Sequence, residues 1–409
     1  MQLNTKFRVV SLCTDPRVDR RILDGARTLT ENGWPTLVIA PPAPGGDTRD
    51  ESSYPDVAIY RMPGSFVPAG MLPEMPLEIS AAERLFPWQR RLTLAALAFP
   101  SEVVIANDLP QLGAGVLAAH AHGSTLIYDA HELYPQQIFL RAQAPQLTAI
   151  EARLIPHAHG VVTVNDSIAD VLAMSYGCPR PHVVLNCPSR RHYDGVPHDD
   201  GRLRHAAGLP ADRRILLYQG GMVQHRSLME LVEGMAHLRT PDVSLVMMGP
   251  RGTYGDELEA RASALGLLGK RVHFVPEVPA SELLHWTIGA DAGIIPYPHC
   301  DMNTLMCTPN KLFEFLVAGL PILATHGVEL RRFVGDQGVG MNAVMRTAED
   351  VGLAVDAFFA GPLASWRTRV AELSARYTWE HEGQLWLDIV PAAVREHQRR
   401  TTLPLQTAA

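Results

Sequence analysis

Three segments of the chain carry the side chains best suited to chemistry, and each lies beside an apolar run. The first is Thr308–Pro321, TPNKLFEFLVAGLP. Thr308 is expected to cap a helix there, with Pro309 in its first position and Gly319 at its end. Lys311 then sits in the first turn, beside backbone N–H groups that lack intrahelical partners, where the helix dipole is positive. That combination suits a phosphate or diphosphate. Glu314 shares its face three residues on, and its carboxylate suits two hydrogen bonds from vicinal hydroxyls. A plain amphipathic helix with a surface Lys–Glu pair fits the same spacing.

The second segment is Tyr218–Arg226, YQGGMVQHR. Gly220 and Gly221 permit a ligand to approach the backbone at a strand end, and Arg226 is placed to meet the same phosphates as Lys311. The pattern is not GxGxxG, so it argues little for a dinucleotide, and a tight turn would use the same glycines. The third is Tyr128–Pro135, YDAHELYP, where Asp129, His131 and Glu132 directly follow an apolar strand. His131 suits positioning of a substrate hydroxyl, or simple bonding to local backbone. It has no second histidine at zinc spacing, so no metal site is read here. Asn107–Asp108 and Asp15–Arg17 also follow strands, where each suits either a ligand or the cap of the next helix.

These residues need a scaffold that brings strand ends together, and the rest of the sequence describes one. Apolar runs at 7–13, 36–41, 57–62, 102–108, 125–131 and 160–165 alternate with helical patterns such as Arg20–Asn32 and Leu109–His122. A second series of runs at 214–220, 243–249, 272–277, 292–298 and 321–326 alternates with Ser227–Leu238 and Glu257–Leu268. Continuous apolar runs of this kind are expected of parallel strands covered on both faces, hence an α/β fold. The alternation pauses over 188–213, which is polar and rich in Gly, Pro, Arg and His. It separates two doubly wound domains, 1–188 and 189–377, while the helical tail 378–409 is expected to return to the first. A single eight-stranded α/β barrel is the less economical arrangement.

Composition narrows the class. With 409 residues, 46% hydrophobic and 19% charged, the chain has the balance of a folded enzyme, and its net charge of −7 argues against nucleic acid as a partner. Five scattered cysteines form no paired framework, which fits a reducing, cytoplasmic compartment. No apolar run is long enough to span a bilayer. The stretch Phe86–Pro100 comes nearest, and reads as a core-facing helix or a helix resting on a membrane surface.

Taken in order, the segments resemble the GT4 group of retaining glycosyltransferases, which have the GT-B fold. TPNKLFEFLVAGLPILA is similar to that family's donor-site segment, YDAHELYP to its first-domain histidine segment, and VVTVNDSIADVLAMSYG to the stretch before a hinge at Asn186. DPRVDRRILDGARTLTENGWPTLVIAP is similar to its opening unit, and Trp379–Glu380 to the start of its terminal helix. The resemblance implies two facing Rossmann-like domains with a cleft between them and a C-terminal helix crossing back. It implies that Arg226 and Lys311 neutralise a nucleotide-sugar diphosphate and that Glu314 binds the nucleotide ribose beside Leu312. Gly220 and Gly221 would admit the phosphates, and His131 would reach the donor sugar. It implies no cofactor and no metal. Three departures stand out: Met306 where the family often carries a second glutamate, Gly221 where it often carries arginine, and Cys13–Arg17 where it often carries a Gly-Gly loop.

The expected reaction is transfer of a sugar from a nucleoside diphosphate to a hydroxyl acceptor with retention, in bacterial surface polysaccharide or glycoconjugate assembly. Asp15, Arg17, Asn107, Asp108 and Glu132 are the acceptor-side candidates, together with the apolar, Pro-rich segment 64–87. That segment suits a lipid-linked acceptor and a peripheral contact with the inner face of a membrane; a small soluble acceptor fits as well. Two rival readings use the same residues. A nucleotide-sugar epimerase would employ Asp108, Asp129 and Glu132 as acid and base. A non-catalytic partner protein would explain Met306 and Gly221.

Overall fold

Runs that are apolar on both faces fold as parallel strands because only helices packed on each side keep them from water. The computed structural model describes residues 7–43, 51–64, 89–192 and 199–402. Its contacts divide the chain into two units: Met1–Leu185 with Glu380–Ala409, and Asn186–Trp379.

The first unit is built on seven parallel strands: β1 Val9–Leu12, β2 Thr36–Ala40, β3 Ala58–Arg61, β4 Val103–Asn107, β5 Thr125–Ala130, β6 Gly160–Thr163 and β7 His182–Val183. Their spatial order is β3-β2-β1-β4-β5-β6-β7. The order reverses between β1 and β4, and ligands of open α/β sheets bind outside the carboxyl ends of the strands at such a reversal. The register Asn107↔Asp129 aligns the ends of β4 and β5 there. Helix Arg20–Glu31 starts at Asp19, whose carboxylate accepts from Arg21 N, so neither Asp15 nor Arg17 is its cap. Helix Gln89–Leu97 buries Leu92, Thr93 and Ala96 and packs against Leu109–His122; the stretch Phe86–Pro100 therefore contributes a core helix. The final helix, Leu385–Thr402, packs on β5 and β6 through Trp386, Ile389, Val390 and Ala393.

The second unit repeats the plan with six parallel strands: β8 Arg214–Gln219, β9 Val243–Met248, β10 Val272–Val275, β11 Ala292–Ile295, β12 Ile322–Ala324 and β13 Gly340–Asn342. Their order, β10-β9-β8-β11-β12-β13, places its reversal between β8 and β11. Leu216, Leu245, Ile294, Leu323, Val355 and Phe358 are among the buried side chains that fill this core.

Both doubly wound sheets and the terminal helix were expected from the sequence. Other details differ. The polar stretch 188–213 contains a short helix, Arg202–Ala206, held by buried Leu203. The tail is broken into Trp379–Glu382 and Leu385–Thr402. Beyond Gly64, the apolar segment 64–87 lies outside the described residues. Among the described residues, no helix is long and apolar enough to cross a membrane.

Candidate active site

In the second unit, β8 ends at Gln219 and the backbone turns at Gly220 with φ 121°, a value that side chains disfavour. A side-chain carbon at Gly220 would stand 3.3 Å from Lys311 Nζ and 3.8 Å from Arg226 Nη1. The two cations expected to share a ligand therefore converge on one turn, and only glycine leaves room beside them. Gly249, just past β9, completes this wall: a side-chain carbon there would fall 2.4 Å from the Gly220 carbonyl oxygen. The loop that carries Arg226 has two further left-handed residues, His225 at φ 65° and Ser227 at φ 51°. Neither is glycine, so the loop stores strain, as binding loops often do.

Helix Asn310–Val317 supplies Lys311, and it begins one residue later than expected. Pro309, with ψ 145°, is the N-cap, and no side chain caps the helix; Thr308 is buried instead. Proline lacks only an N–H that would be orphaned at either position, so the ring fits outside the helix as well as inside. Lys311 remains in the first turn. It is 5% exposed, and among the described residues its ammonium has no hydrogen-bond partner. Instead Nζ lies over the Tyr218 ring at 4.1 Å and the Tyr297 ring at 5.0 Å. Burial pushes its pKa well below the ordinary range and Arg226 pushes the same way, with Glu314 and Cys307 opposing. Arg226 is steadied by a bond from Nη1 to the Gly221 carbonyl at 3.3 Å, which also accepts the Tyr218 hydroxyl at 3.0 Å.

Glu314 sits one turn along the helix, 7% exposed, and accepts a hydrogen bond from Gln219 Nε2 on Oε2. Leu312, by contrast, is a core side chain whose N–H donates to the Pro309 carbonyl at 2.8 Å. Met306 ends a short helix, Met302–Met306, capped by the Asp301 carboxylate.

In the first unit, His131 stands between two carboxylates. Its Nε2 is 3.1 Å from Asp129 Oδ2 and its Nδ1 is 3.6 Å from Asp108 Oδ2, while its backbone N–H donates to Asp108 Oδ1 at 2.8 Å. Asp129 is gripped by Arg21 through two bonds of 2.9 and 2.8 Å, with both side chains 1% exposed. Arg21 also donates to the Val184 carbonyl at 2.6 Å. Burial works against an imidazolium, yet Asp108 and Asp129 outweigh it and lift the His131 pKa. Burial, with Glu132 adding, lifts the Asp108 carboxyl above its usual range against the pull of His131. The two carboxylates thus favour the protonated imidazole and face both of its ring nitrogens.

Asp108 is strained. Its φ of 64° and ψ of 168° lie in a region used almost only by glycine, and its carboxylate makes no cap bond to helix Leu109–His122. Asn107 turns inward: it is 3% exposed and donates to Ser11 Oγ at 3.0 Å and the Leu12 carbonyl at 2.8 Å. It thus ties β4 to β1 instead of lining the acceptor side. Asp15 and Arg17 lie exposed after β1; partial desolvation of its carboxyl, then Asp19, raises the Asp15 pKa, against a smaller pull from His131. Tyr134 joins this group unforeseen; burial, then Asp108, Glu132 and Asp15, push its hydroxyl up to about 12. Among the described residues no group of three or more His, Cys, Asp or Glu is arranged to hold a metal ion.

Two family models match the chain: the glycosyl transferase 4-like domain over residues 18–188, and glycosyl transferases group 1 over residues 213–358. Solved structures match along nearly the whole length. A glycosyltransferase from Rickettsia africae is 13% identical with a TM-score of 0.71, covering 95% of this chain and 99% of its own. HepE from Anabaena, solved with UDP, is 15% identical with a TM-score of 0.70, covering 94% and 100%. WaaG, described as a glycosyltransferase involved in lipopolysaccharide biosynthesis, is 15% identical with a TM-score of 0.64, covering 93% and 99%. At these identities the likeness is one of fold. No curated protein matches the chain.

Proposed function

This chain belongs to the GT4, or group 1, family of retaining glycosyltransferases, and on that premise we propose how its residues divide the work. Lys311 and Arg226 hold the diphosphate of a nucleotide sugar against Gly220, and Glu314 binds the nucleotide ribose. Asp15, Arg17, Asp108 and Glu132 serve the hydroxyl acceptor, and His131 binds a sugar oxygen.

One observation carries this reading: a lysine that is 5% exposed and has no hydrogen-bond acceptor among the described residues. An unpaired buried ammonium costs several kcal/mol and shifts its own pKa downward, unless an anion arrives to share its site. Gly220 and Arg226 sit where such an anion would lie, and HepE, of the same fold, was solved with UDP.

The acceptor oxygen attacks the anomeric carbon on the face from which the diphosphate leaves. The C–O bond electrons pass to the diphosphate, whose oxygen takes the acceptor proton. Lys311 and Arg226 stabilise charge that grows as the bond breaks, and losing one such donor costs about 10²–10³ in rate. The acceptor is a glycan hydroxyl of a surface polysaccharide or glycoconjugate, a reading that WaaG's part in lipopolysaccharide biosynthesis supports.

Thermal shift against UDP, GDP, dTDP and ADP tests the donor assignment. A ligand at about 100 times its Kd adds about 2.7 kcal/mol of stability. We expect one nucleotide to raise Tm, with EDTA making no difference and Lys311→Ala abolishing the effect. A folded protein whose Tm no nucleotide moves would overturn the reading.

A further inference from the structure

A buried carboxylate recognises hydroxyls only if its oxygens are held in place, and two segments brace Glu314, one directly and the other through the first. Gln219, the last residue of β8, is 2% exposed, and Thr287, near the end of helix Leu283–Thr287, is fully buried. Thr287 Oγ1 lies 2.7 Å from Gln219 Oε1 and 2.7 Å from the Leu283 carbonyl. Gln219 Nε2 donates to Glu314 Oε2.

A carboxylate accepts, and Gln219 turns its amide nitrogen to Glu314. The Gln219 carbonyl oxygen is then turned to Thr287, whose one hydroxyl proton it shares with the Leu283 carbonyl. An inverted amide would set its oxygen against a carboxylate oxygen. With the amide set this way, Gln219 bridges Thr287 and Glu314 and holds one oxygen of the carboxylate in place. None of these groups is exposed enough for water to substitute cheaply for a lost partner.

We propose that Gln219, oriented by Thr287, is a positioning residue for ribose recognition: it holds Glu314 so that the nucleotide donor is selected for its ribose hydroxyls. Gln219 itself need not touch the nucleotide. This inference rests on the donor-site reading above, and its test separates the two.

Isothermal titration calorimetry of the full chain supplies the measurement. The probe is whichever of UDP, GDP, ADP and CDP binds tightest, paired with its 2′,3′-dideoxy counterpart. The wild-type protein should prefer the ribonucleotide by about 10- to 100-fold, the size of a hydrogen-bonded charge lost. In Gln219→Met that preference should fall below about threefold, with the dideoxy affinity nearly unchanged. Thr287→Val preserves shape and leaves Gln219 in place, so it guards against a Gln219 variant that fails to fold. It should lower the preference part of the way. A merely structural role for Gln219 would weaken both ligands alike and leave their ratio intact, and that result overturns the proposal. A wild-type protein that binds the ribonucleotide but does not discriminate also overturns it, while the donor site stands. No binding of any diphosphate overturns both.

Discussion

Lys311 is the buried cation of the proposed donor site, and its burial makes a prediction about protons. In the unfolded chain a lysine titrates near 10.4. In the folded chain burial and Arg226 hold Lys311 well below that. Between the two values the unfolded state binds one more proton, so stability without ligand rises with pH across that window and falls as pH drops through it. Lys311→Met should remove this slope and make the unliganded protein about 1–3 kcal/mol more stable at neutral pH, the cost of an unpaired buried polar group. Urea unfolding from pH 6 to 9 reads both effects; equal slopes in the two proteins would show that Lys311 keeps its proton when folded. The stacked tyrosines offset part of that cost, since Nζ lies 4.1 Å from the Tyr218 ring.

At the scale of elements, the junction of β4 with helix Leu109–His122 shows structure bent to the needs of a site. Asp108 is held at φ 64° by the bond its carboxylate accepts from the His131 N–H and by its own N–H, which donates to the Asp129 carbonyl. Asp108→Gly and Asp108→Ala both delete the carboxylate, so their difference isolates the backbone. The glycine variant should be more stable by about 1–2 kcal/mol, the reverse of the usual order, because only glycine adopts this conformation without strain. Equal stabilities by chemical denaturation would mean that the junction relaxes freely. The same junction marks what could be read from sequence. Helix Leu109–His122 was legible to the residue, because Pro110 and Gly123 frame an apolar pattern. β7 and β13 were not, since two or three residues carry no periodicity. Lys311 and Glu314 were singled out by their place at the start of a helix, and His131 and Asp108 by following apolar strands. Their braces were not: Arg21 lies 108 positions from Asp129, and Gln219 lies 95 from Glu314. Such pairs become visible only when parallel strands bring their ends together. Asn107 misled for the same reason, since its inward turn depends on Ser11, 96 positions away.

For the whole molecule, two sheets with two cores imply two cooperative transitions, because units with separate hydrophobic interiors need not melt together. The chain assigns its last residues unevenly: Glu380–Ala409 belongs with the first unit, although the second unit precedes it in sequence. Glu382 accepts from Leu185 N at 2.9 Å, His397 Nδ1 lies 3.1 Å from Thr125 Oγ1, and Arg400 donates to the Pro156 carbonyl at 3.0 Å. The side chains Trp386, Ile389 and Val390 are buried in that same packing. A chain ending at Trp379 therefore keeps every strand of the second unit but strips an apolar face from the first. Scanning calorimetry of the intact protein should show two transitions, with the stabilising nucleotide shifting only one. In the shortened chain the transition that ignores nucleotide should broaden or vanish, while the responsive one persists and still disappears from the nucleotide's influence in Lys311→Ala. A single transition that moves as a whole with nucleotide would instead mean that the two cores unfold as one body. The division of labour would then be chemical only, with no separate stability behind it.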